Sequence, residues 1–391
     1  MRNDRLVAIG YLGGPNIGDE SISLAIATVL KEQYRVQFVS GRPDVSKQMA
    51  GDDFVFIKGF YPGRPLYPGE FWKLINAIKQ SSGVLLIGGG VFQNVHSNNL
   101  LMVCAFFASA SNLFDKKFVG VGVGYGPIKT KFGSWLCGIS LARVSQLSFR
   151  DRNSLAQVNA LGLPSSERFI MGADSAFALQ PISNNRKKTQ VGLCFRGWNA
   201  LPNKLLWDLF HQLTLMGNEI VLLAFERSDV TFYQDVLGDT CSKNIVFPAT
   251  VNAAREIIAN LSGVVSMRLH ACIFSAIDQV PFVAISYDDK VKDVVAEIGL
   301  ELNVFSIDAC AEDVLISLST SPPPPKEAVD KLRQIAQSTM KDALGCDLIS
   351  SNTFTKTESF VVLFYIYTYK VLVPTFKYYV SRILDKWRGQ L

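Results

Sequence analysis

The sequence is poor in the features that would identify a secreted, metal-bound or nucleotide-phosphate-gripping protein. Its seven cysteines, Cys104, Cys137, Cys194, Cys241, Cys272, Cys310 and Cys346, stand singly. An odd set without paired spacing predicts free thiols in a reducing compartment, not a disulfide framework. No Cys-x-x-Cys occurs, and the three histidines, His96, His211 and His270, are far apart in the chain, so neither a structural zinc site nor any other metal site is expected. The first glycine-rich loop lacks the Gly-Lys-Ser/Thr of a P-loop and the GxGxxG of a dinucleotide fold. Charge of one sign is also scarce. The net is +5 over 391 residues, with no basic stripe interleaved with aromatics, so nucleic acid is not an expected partner. Met1-Arg2-Asn3-Asp4-Arg5 runs straight into a short strand without a long apolar core. A signal peptide is therefore not expected, and a cytoplasmic location is.

What is present is a long alternation. At 48% hydrophobic over 391 residues, the chain can bury two domain cores. Short apolar runs at Leu6–Gly10, Gln37–Val39, Phe54–Ile57, Val84–Ile87, Phe118–Val123 and Gln146–Phe149 read as strands, with helical periodicity between them. A polar patch, Ser183 to Gln190, marks a boundary. A second series follows, from Val191–Phe195 to Phe282–Ile285. Alternating β and α predicts parallel sheets covered on both faces. The expected organisation is α/β, with two doubly wound Rossmann-like domains at 1–182 and 183–320. A third part at 321–391 would hold a Pro-rich linker, an exposed helix from Lys326 to Leu344 and an apolar, basic tail.

Parallel strands put all their C-terminal ends on one sheet edge, where ligands bind in open α/β sheets. Ser266-Met267-Arg268-Leu269-His270-Ala271 follows the apolar run Leu261–Val265 and opens a small-residue helix. A helix N-terminus favours an anion. Arg268 adds a two-pronged donor for carboxylate or phosphate, and His270 adds a group able to carry a proton near neutral pH. The bland alternatives are an arginine that caps carbonyls and a histidine satisfied in the core. Arg196, after the strand Val191–Phe195, faces the same edge. Lys290, in Ser286-Tyr287-Asp288-Asp289-Lys290, either neutralises an anion or pairs with Asp288 and Asp289. In the first half, the marked loops carry Gly14, Asn16, Gly18, Asp19 and Glu20, then Gly88-Gly89-Gly90, then Arg150-Asp151-Arg152, with Asp174 following another strand. Glycines permit close backbone approach to a ligand, although any one of these loops could simply be a tight corner. Asp174 could be a cap alone.

The tail is distinct. Phe360-Val361-Val362-Leu363-Phe364-Tyr365-Ile366-Tyr367-Thr368-Tyr369 is nearly all apolar or aromatic, and Lys370, Lys377, Arg382, Lys386 and Arg388 lie beyond it. The run is interrupted by Lys370 and Pro374, too soon for a spanning helix. Aromatics beside basic residues suit a membrane interface through 360–391. The alternative is a terminal helix that packs back on the protein.

Taken in order, Gly10-Tyr11 with Asn16, Gly18-Asp19-Glu20, Gly88-Gly89-Gly90, Phe149-Arg150-Asp151, Asp174-Ser175-Ala176, Met267-Arg268-Leu269-His270 and Ser286-Tyr287-Asp288-Asp289-Lys290 resemble the polysaccharide pyruvyltransferase family. The resemblance implies a GT-B-like fold of two facing domains and transfer of a pyruvyl group from phosphoenolpyruvate to a sugar as a cyclic ketal. It places the donor on Arg268, Leu269 and His270 of the second domain, with Arg196 and Lys290 nearby. The acceptor would lie against Gly14, Asn16, Gly18, Gly89, Gly90, Arg150 and Asp174 of the first. It implies no cofactor beyond the donor substrate.

The residue types suit that chemistry. Phosphoenolpyruvate carries two anionic groups and needs at least two fixed cations. Its methylene carbon needs a proton, which His270 could give, and the sugar hydroxyl needs a base, for which Asp19 and Asp151 are the candidates. Rival readings are a GT-B glycosyltransferase using a nucleotide sugar, and a non-catalytic, membrane-docked scaffold of polysaccharide assembly. The acceptor sugar, and whether it is lipid-linked, stay open, as does attachment to the inner face of the cell membrane.

Overall fold

The computed structural model describes residues 4–51, 54–60, 66–95, 97–164, 166–183, 189–197, 202–345, 355–372 and 374. His96, Cys346, Trp198, most of the boundary patch after Ser183, and 375–391 with Lys377, Arg382, Lys386 and Arg388 lie outside the described residues.

The first domain runs β1 (Asp4–Ile9), α1 (Ile17–Leu30), β2 (Tyr34–Ser40), α2 (Pro43–Ala50), β3 (Val55–Lys58), α3 (Pro68–Gln80), β4 (Gly83–Phe92), α4 (Asn99–Leu113), β5 (Lys117–Tyr125), α5 (Lys131–Arg143), β6 (Gln146–Phe149), α6 (Arg152–Asn159) and β7 (Phe169–Met171). The second runs β8 (Gln190–Cys194), α7 (Pro202–Leu215), β9 (Glu219–Leu223), α8 (Arg227–Leu237), β10 (Ile245–Val246), α9 (Val251–Ala259), β11 (Gly263–Ser266), α10 (Leu269–Ile277), β12 (Phe282–Ser286), α11 (Asp289–Ile298), β13 (Val304–Ser306) and α12 (Ala311–Thr320). Two helices follow, α13 (Lys326–Asp342) and α14 (Lys356–Tyr367).

Both sheets are parallel throughout, in the orders β3-β2-β1-β4-β5-β6-β7 and β10-β9-β8-β11-β12-β13. Strands such as Leu6-Val7-Ala8-Ile9 and Val264-Val265 are apolar at successive positions because helices cover both faces. In each sheet the strand order reverses once, at β1/β4 and at β8/β11, which opens a crevice at the strand ends. The Gly10–Asp19 loop and Gly89-Gly90 lie at the first crevice. Arg196 and Arg268-His270 lie at the second.

One apolar cluster joins the two domains. Ile17, Ile22 and Ile26 of α1 belong to it together with Leu269, Ala271 and Phe274 of α10. The backbone is also tied across, with Ile17 N–H donating to the Phe225 carbonyl at 3.2 Å. The crossing chain is clamped on the far side. Ile182 N–H donates to Asp278 Oδ1 at 2.8 Å, and Arg255 donates to the Gln180 carbonyl at 2.6 Å.

The expectation of an exposed helix after the prolines is overturned. α13 is amphipathic, with Val329, Leu332, Ala336 and Met340 buried in the shared core against α1. Its charged positions drew the reading outward, while the apolar stripe at three- and four-residue spacing holds it down. α14 also returns to the first domain, where Val362, Leu363 and Ile366 pack on α4. No helix among the described residues is long and apolar enough to cross a membrane.

Candidate functional site

The two crevices face each other across a cleft of about 1200 Å³. Its walls include Tyr11, Asn16, Asp19, Gly89, Gly90, Arg150 and Asp151 from the first domain, and Arg196, Glu226, Arg268, Leu269, His270 and Lys290 from the second.

Two helix N-termini meet at its floor. Asn16 caps α1, its Oδ1 accepting from Gly18 N–H at 2.9 Å, and Asp19 and Glu20 occupy the first turn. Arg268 occupies the cap position of α10, with His270 in the first turn. Asp19 of the one first turn and His270 of the other therefore line the same space, where two helix N-termini favour an anion. Gly18 lies against the His270 ring so closely that a Cβ there would sit 2.4 Å from Nδ1.

His270 is buried except for a small exposure toward the cleft. Its Nε2 stands 3.7 Å from Asp174 Oδ1, an ion-pair separation beyond hydrogen-bond reach. Among the described residues Nε2 has no hydrogen-bond partner. Asp174 is fully buried and caps the short turn Ser175–Ala178, accepting from Ala176 N–H at 3.0 Å. Arg150 Nη1 donates to its other oxygen at 3.1 Å. Burial opposes the Asp174 charge, but His270, Arg150 and the Ala176 amide outweigh it and hold the carboxyl well below the usual carboxylate range. Arg150 and Asp174 thus form an ion pair behind the histidine. Arg150 lines the cleft, whereas Asp174 lies behind its wall.

Asp19 has the opposite character. Burial pushes its carboxyl up to about 6, against the pull of His270, Arg268 and Arg150 and with a further push from Glu226. It is half-buried at the cleft wall, beside Gly89, where a Cβ would stand 3.6 Å from Asp19 Oδ1. Gly89 adopts φ +89°, which favours glycine there. Asp151, the other candidate base, has both oxygens engaged. Oδ1 accepts from Ser154 N–H at 2.7 Å and Oδ2 from Ser154 Oγ at 2.9 Å. It is the cap of α6, which leaves Asp19 as the carboxylate less committed to structure.

Glu20 faces away from the cleft. Its Oε1 accepts from Gly13 N–H at 2.7 Å and Ser46 Oγ at 2.9 Å, so it ties the glycine loop to α2. Burial pushes it up to about 7. Gly14 sits in the same loop, close under the Tyr11 ring.

Arg268 reaches the cleft as expected, but not as a bare cation. Nη1 donates to Glu226 Oε1 at 3.0 Å and Nη2 to Asp229 Oδ1. Burial opposes its charge, yet these two carboxylates hold the guanidinium firmly protonated. Glu226 also accepts from Asn16 Nδ2 at 2.6 Å. A first-domain cap, a second-domain carboxylate and the arginine thus form one chain across the gap. Burial opposes the Glu226 charge too, but Arg268 and Arg196 hold its carboxyl below the usual range.

Arg196 Nη1 donates to Tyr287 Oη at 3.3 Å, and its guanidinium lies 5.5 Å from that ring's centre. Lys290 is 5.3 Å from the same ring and pairs with Asp288 at 2.9 Å. The pairing that was the plainer alternative for Lys290 is therefore present, with the side chain still at the cleft wall. Leu269 lies at the wall between Arg268 and His270.

Glu226, Asp229 and Tyr287 had no role assigned from sequence. Glu226 and Asp229 form a reciprocal cap on α8 directly after β9, so their place on the ligand edge was readable from the strand. Their pairing with Arg268 was not, because it joins positions 42 and 39 apart. Among the described residues no group of three or more His, Cys, Asp or Glu side chains is placed to hold a metal ion.

The family model described as polysaccharide pyruvyl transferase matches residues 16–289. That span runs from the α1 cap, across the cleft, to the start of α11. No curated protein matches the sequence significantly. Among solved structures, the chain is similar in fold to UDP-N-acetylglucosamine 2-epimerase from Rickettsia bellii (TM-score 0.52, 12% identity, 87% of this chain and 98% of that one). It is also similar to UDP-GlcNAc 2-epimerase from Neisseria meningitidis bound to UDP-GlcNAc (TM-score 0.54, 11% identity, 87% and 97%). A third is a glycosyltransferase from Rickettsia africae (TM-score 0.50, 11% identity, 94% and 98%). At these identities the likeness is one of fold: two parallel-sheet α/β domains of GT-B type.

Proposed function

Because the chain belongs to the polysaccharide pyruvyl transferase family, we propose that it transfers the pyruvyl group of phosphoenolpyruvate to two hydroxyls of one sugar, forming a cyclic ketal and releasing phosphate. The observation that carries this reading is that His270 and Asp19, each in the first turn of a helix from a different domain, line one cleft together with Arg268 and Arg196.

The chemistry needs a proton on the methylene carbon of the enol phosphate. His270 supplies it, with the Asp174 carboxylate behind the ring at 3.7 Å. Protonation makes C2 electrophilic. A sugar hydroxyl attacks C2 and gives its proton to Asp19. The C2–O bond to phosphate then breaks, and phosphate leaves with the bonding pair. A second hydroxyl attacks C2 and closes the ring, its proton leaving with phosphate. One proton has entered at carbon from His270 and two have left oxygen, one to Asp19 and one to phosphate; return of the Asp19 proton to His270 closes the balance, with release of hydrogen phosphate.

The anionic groups of the donor find Arg196 and the α1 and α10 N-termini. Arg268 contributes after its carboxylate partners shift, or it holds Glu226 in place while the helix ends do the binding. The saccharide lies along Gly89-Gly90 and Asn16, in the manner expected of the first-domain loops. Support for a saccharide acceptor comes from the family and from the size of the cleft.

Phosphate release from phosphoenolpyruvate, measured across a panel of saccharide acceptors, tests the reading. Acceptor-dependent release in the wild type that disappears in His270→Ala is the expected result. No release with any acceptor, together with thermal stabilisation by a nucleotide sugar and none by phosphoenolpyruvate, would overturn it.

A further inference from the structure

The cleft does not end at the catalytic pair. Its lining also takes in Phe60, Leu100, Val103 and Lys370, the last in the turn that follows α14. Phe60 is linked to the protein surface by ring contacts: 5.1 Å to Phe106, from there 5.6 Å to Phe71, and from Phe71 4.6 Å to Tyr367 on α14.

α14 is apolar on both sides. Val362, Leu363 and Ile366 are buried against α4, while Phe360, Val361, Phe364 and Tyr365 are 45–61% exposed. Tyr369 stacks on Tyr365, and Phe132, beside the exposed Trp135 of α5, touches Tyr365 edge-on at 6.3 Å. Trp72 of α3, 56% exposed, stands 6.5 Å from Tyr367. Three helices therefore share one aromatic face, broader than the scattered apolar residues normal on a monomer.

We propose that this face seats on an anionic lipid bilayer, and that the side of the cleft lined by Phe60 and Lys370 takes there a saccharide carried on a lipid phosphate. Four observations select this occupant. Trp and Tyr at the rim of an apolar face are the residues that favour the interface of a bilayer. The sequence from Lys370 to Leu391 carries five cations, Lys370, Lys377, Arg382, Lys386 and Arg388, against one acid, Asp385, which suits an anionic surface. α14 spans 12 residues and is held to α4 along its length, so it lies in the plane and does not cross. Lys370, whose amine is held by Asn99, lines the cleft where the chain leaves α14, so one cation belongs both to the cleft and to the edge of the face, placed to neutralise a phosphate at the junction of lipid and sugar. Burial lowers the affinity of that amine for its proton, a cost that an anionic partner would offset. The acceptor part of the proposal rests on the transferase reading; the docking part does not.

The test is flotation of the full chain with vesicles of phosphatidylglycerol and phosphatidylcholine, against phosphatidylcholine alone. The chain is expected to float with the anionic vesicles, and Phe364→Glu or, on a separate helix, Trp135→Ser should weaken binding about tenfold. Melting temperature and turnover on a soluble saccharide should stay at wild-type values in both variants. A lipid-linked saccharide in the vesicles should lower KM for the wild type more than for either variant. A chain that stays out of anionic vesicles, or variants that float as well as the wild type, would overturn the docking surface. So would a dimer that Phe364→Glu splits into monomers without any vesicle binding, since the face would then belong to a second copy. Flotation requires no turnover, so docking without phosphoenolpyruvate-dependent phosphate release would count against the transferase and leave the surface standing.

Discussion

Gly18 and His270 belong to different domains, yet the absent side chain of the first defines the space for the ring of the second. A Cβ on Gly18 would meet His270 Nδ1 at 2.4 Å, Cγ at 2.8 Å and Cβ at 3.1 Å. These are the root of the side chain and not its flexible end, so the ring cannot swing aside cheaply. Gly18 has an ordinary helical place in α1, where alanine would be the better helix former. Gly18→Ala should therefore move His270 and separate the domains slightly. The expected outcome is a fall in kcat of about a hundredfold, the scale of a lost general acid, with KM for phosphoenolpyruvate changed less. A variant that keeps wild-type kcat would mean that the ring position is not set by this contact.

Arg268 predicts a split between charge and geometry. Arg268→Ala would leave Glu226 and Asp229 facing each other without the cation that pairs them, and breaking such a buried pair costs about 3–5 kcal/mol. Denaturant unfolding should show most of that loss. Arg268→Lys keeps one cation but cannot reach both carboxylates as a fork does. It should fold with a smaller loss and show weakened donor affinity in calorimetry. Unchanged affinity would assign Arg268 to holding Glu226 and Asn16 together across the domains.

The fold was legible because its strands are apolar at successive positions and its loops carry glycine and polar clusters at one end. The two-domain alternation and the crevice placement of Arg268, His270, Arg196, Asp19 and Gly89 follow from that pattern alone. The state of each group was not legible, because it depends on partners distant in sequence. Asp151 and Asp19 both follow strands at the ligand edge. Only the fold shows that Ser154 takes both oxygens of Asp151 while Asp19 keeps a raised affinity for its proton. The α13 reading went wrong for a related reason. Its apolar stripe has a meaning only once α1 is known to lie beneath it.

Glu20 gives a prediction about stability. Its carboxyl is raised from 4.5 to about 7, first by burial, against the bonds from Gly13 and Ser46. A raised acid means that the folded state holds more protons than the unfolded one between those values. The contribution of Glu20 to stability is then fully present below about pH 4.5 and is lost as pH rises through about 7. The shift corresponds to a contribution of about 3 kcal/mol over that window. Glu20→Gln keeps an oxygen for Gly13 N–H and Ser46 Oγ but cannot ionise. Its unfolding free energy should be flatter between pH 5 and 8, by about that amount, than the wild type's. Parallel curves for the two proteins would show that Glu20 ionises freely in the fold.

Asp19 should appear in the rate instead. As the base for the sugar hydroxyl it must be ionised, and burial has moved its proton affinity up to about 6. Below that pH the carboxylate is protonated and cannot accept. The kcat/KM for the acceptor should therefore rise with pH through a limb centred near 6, since this ratio reports groups of the free enzyme. Asp19→Asn should remove the limb and lower the plateau by about 10²–10⁴-fold, the usual range for a positioned base. The side chain is close in size and Gly89 leaves room beside it, so the fold should be kept and the melting temperature should show this. Asp151→Asn supplies the contrast. Asparagine caps a helix about as well as aspartate and keeps an oxygen for Ser154 N–H, so this variant should hold stability near the wild-type value and leave the acid limb in place. If the limb instead survives in Asp19→Asn and vanishes in Asp151→Asn, the base is Asp151.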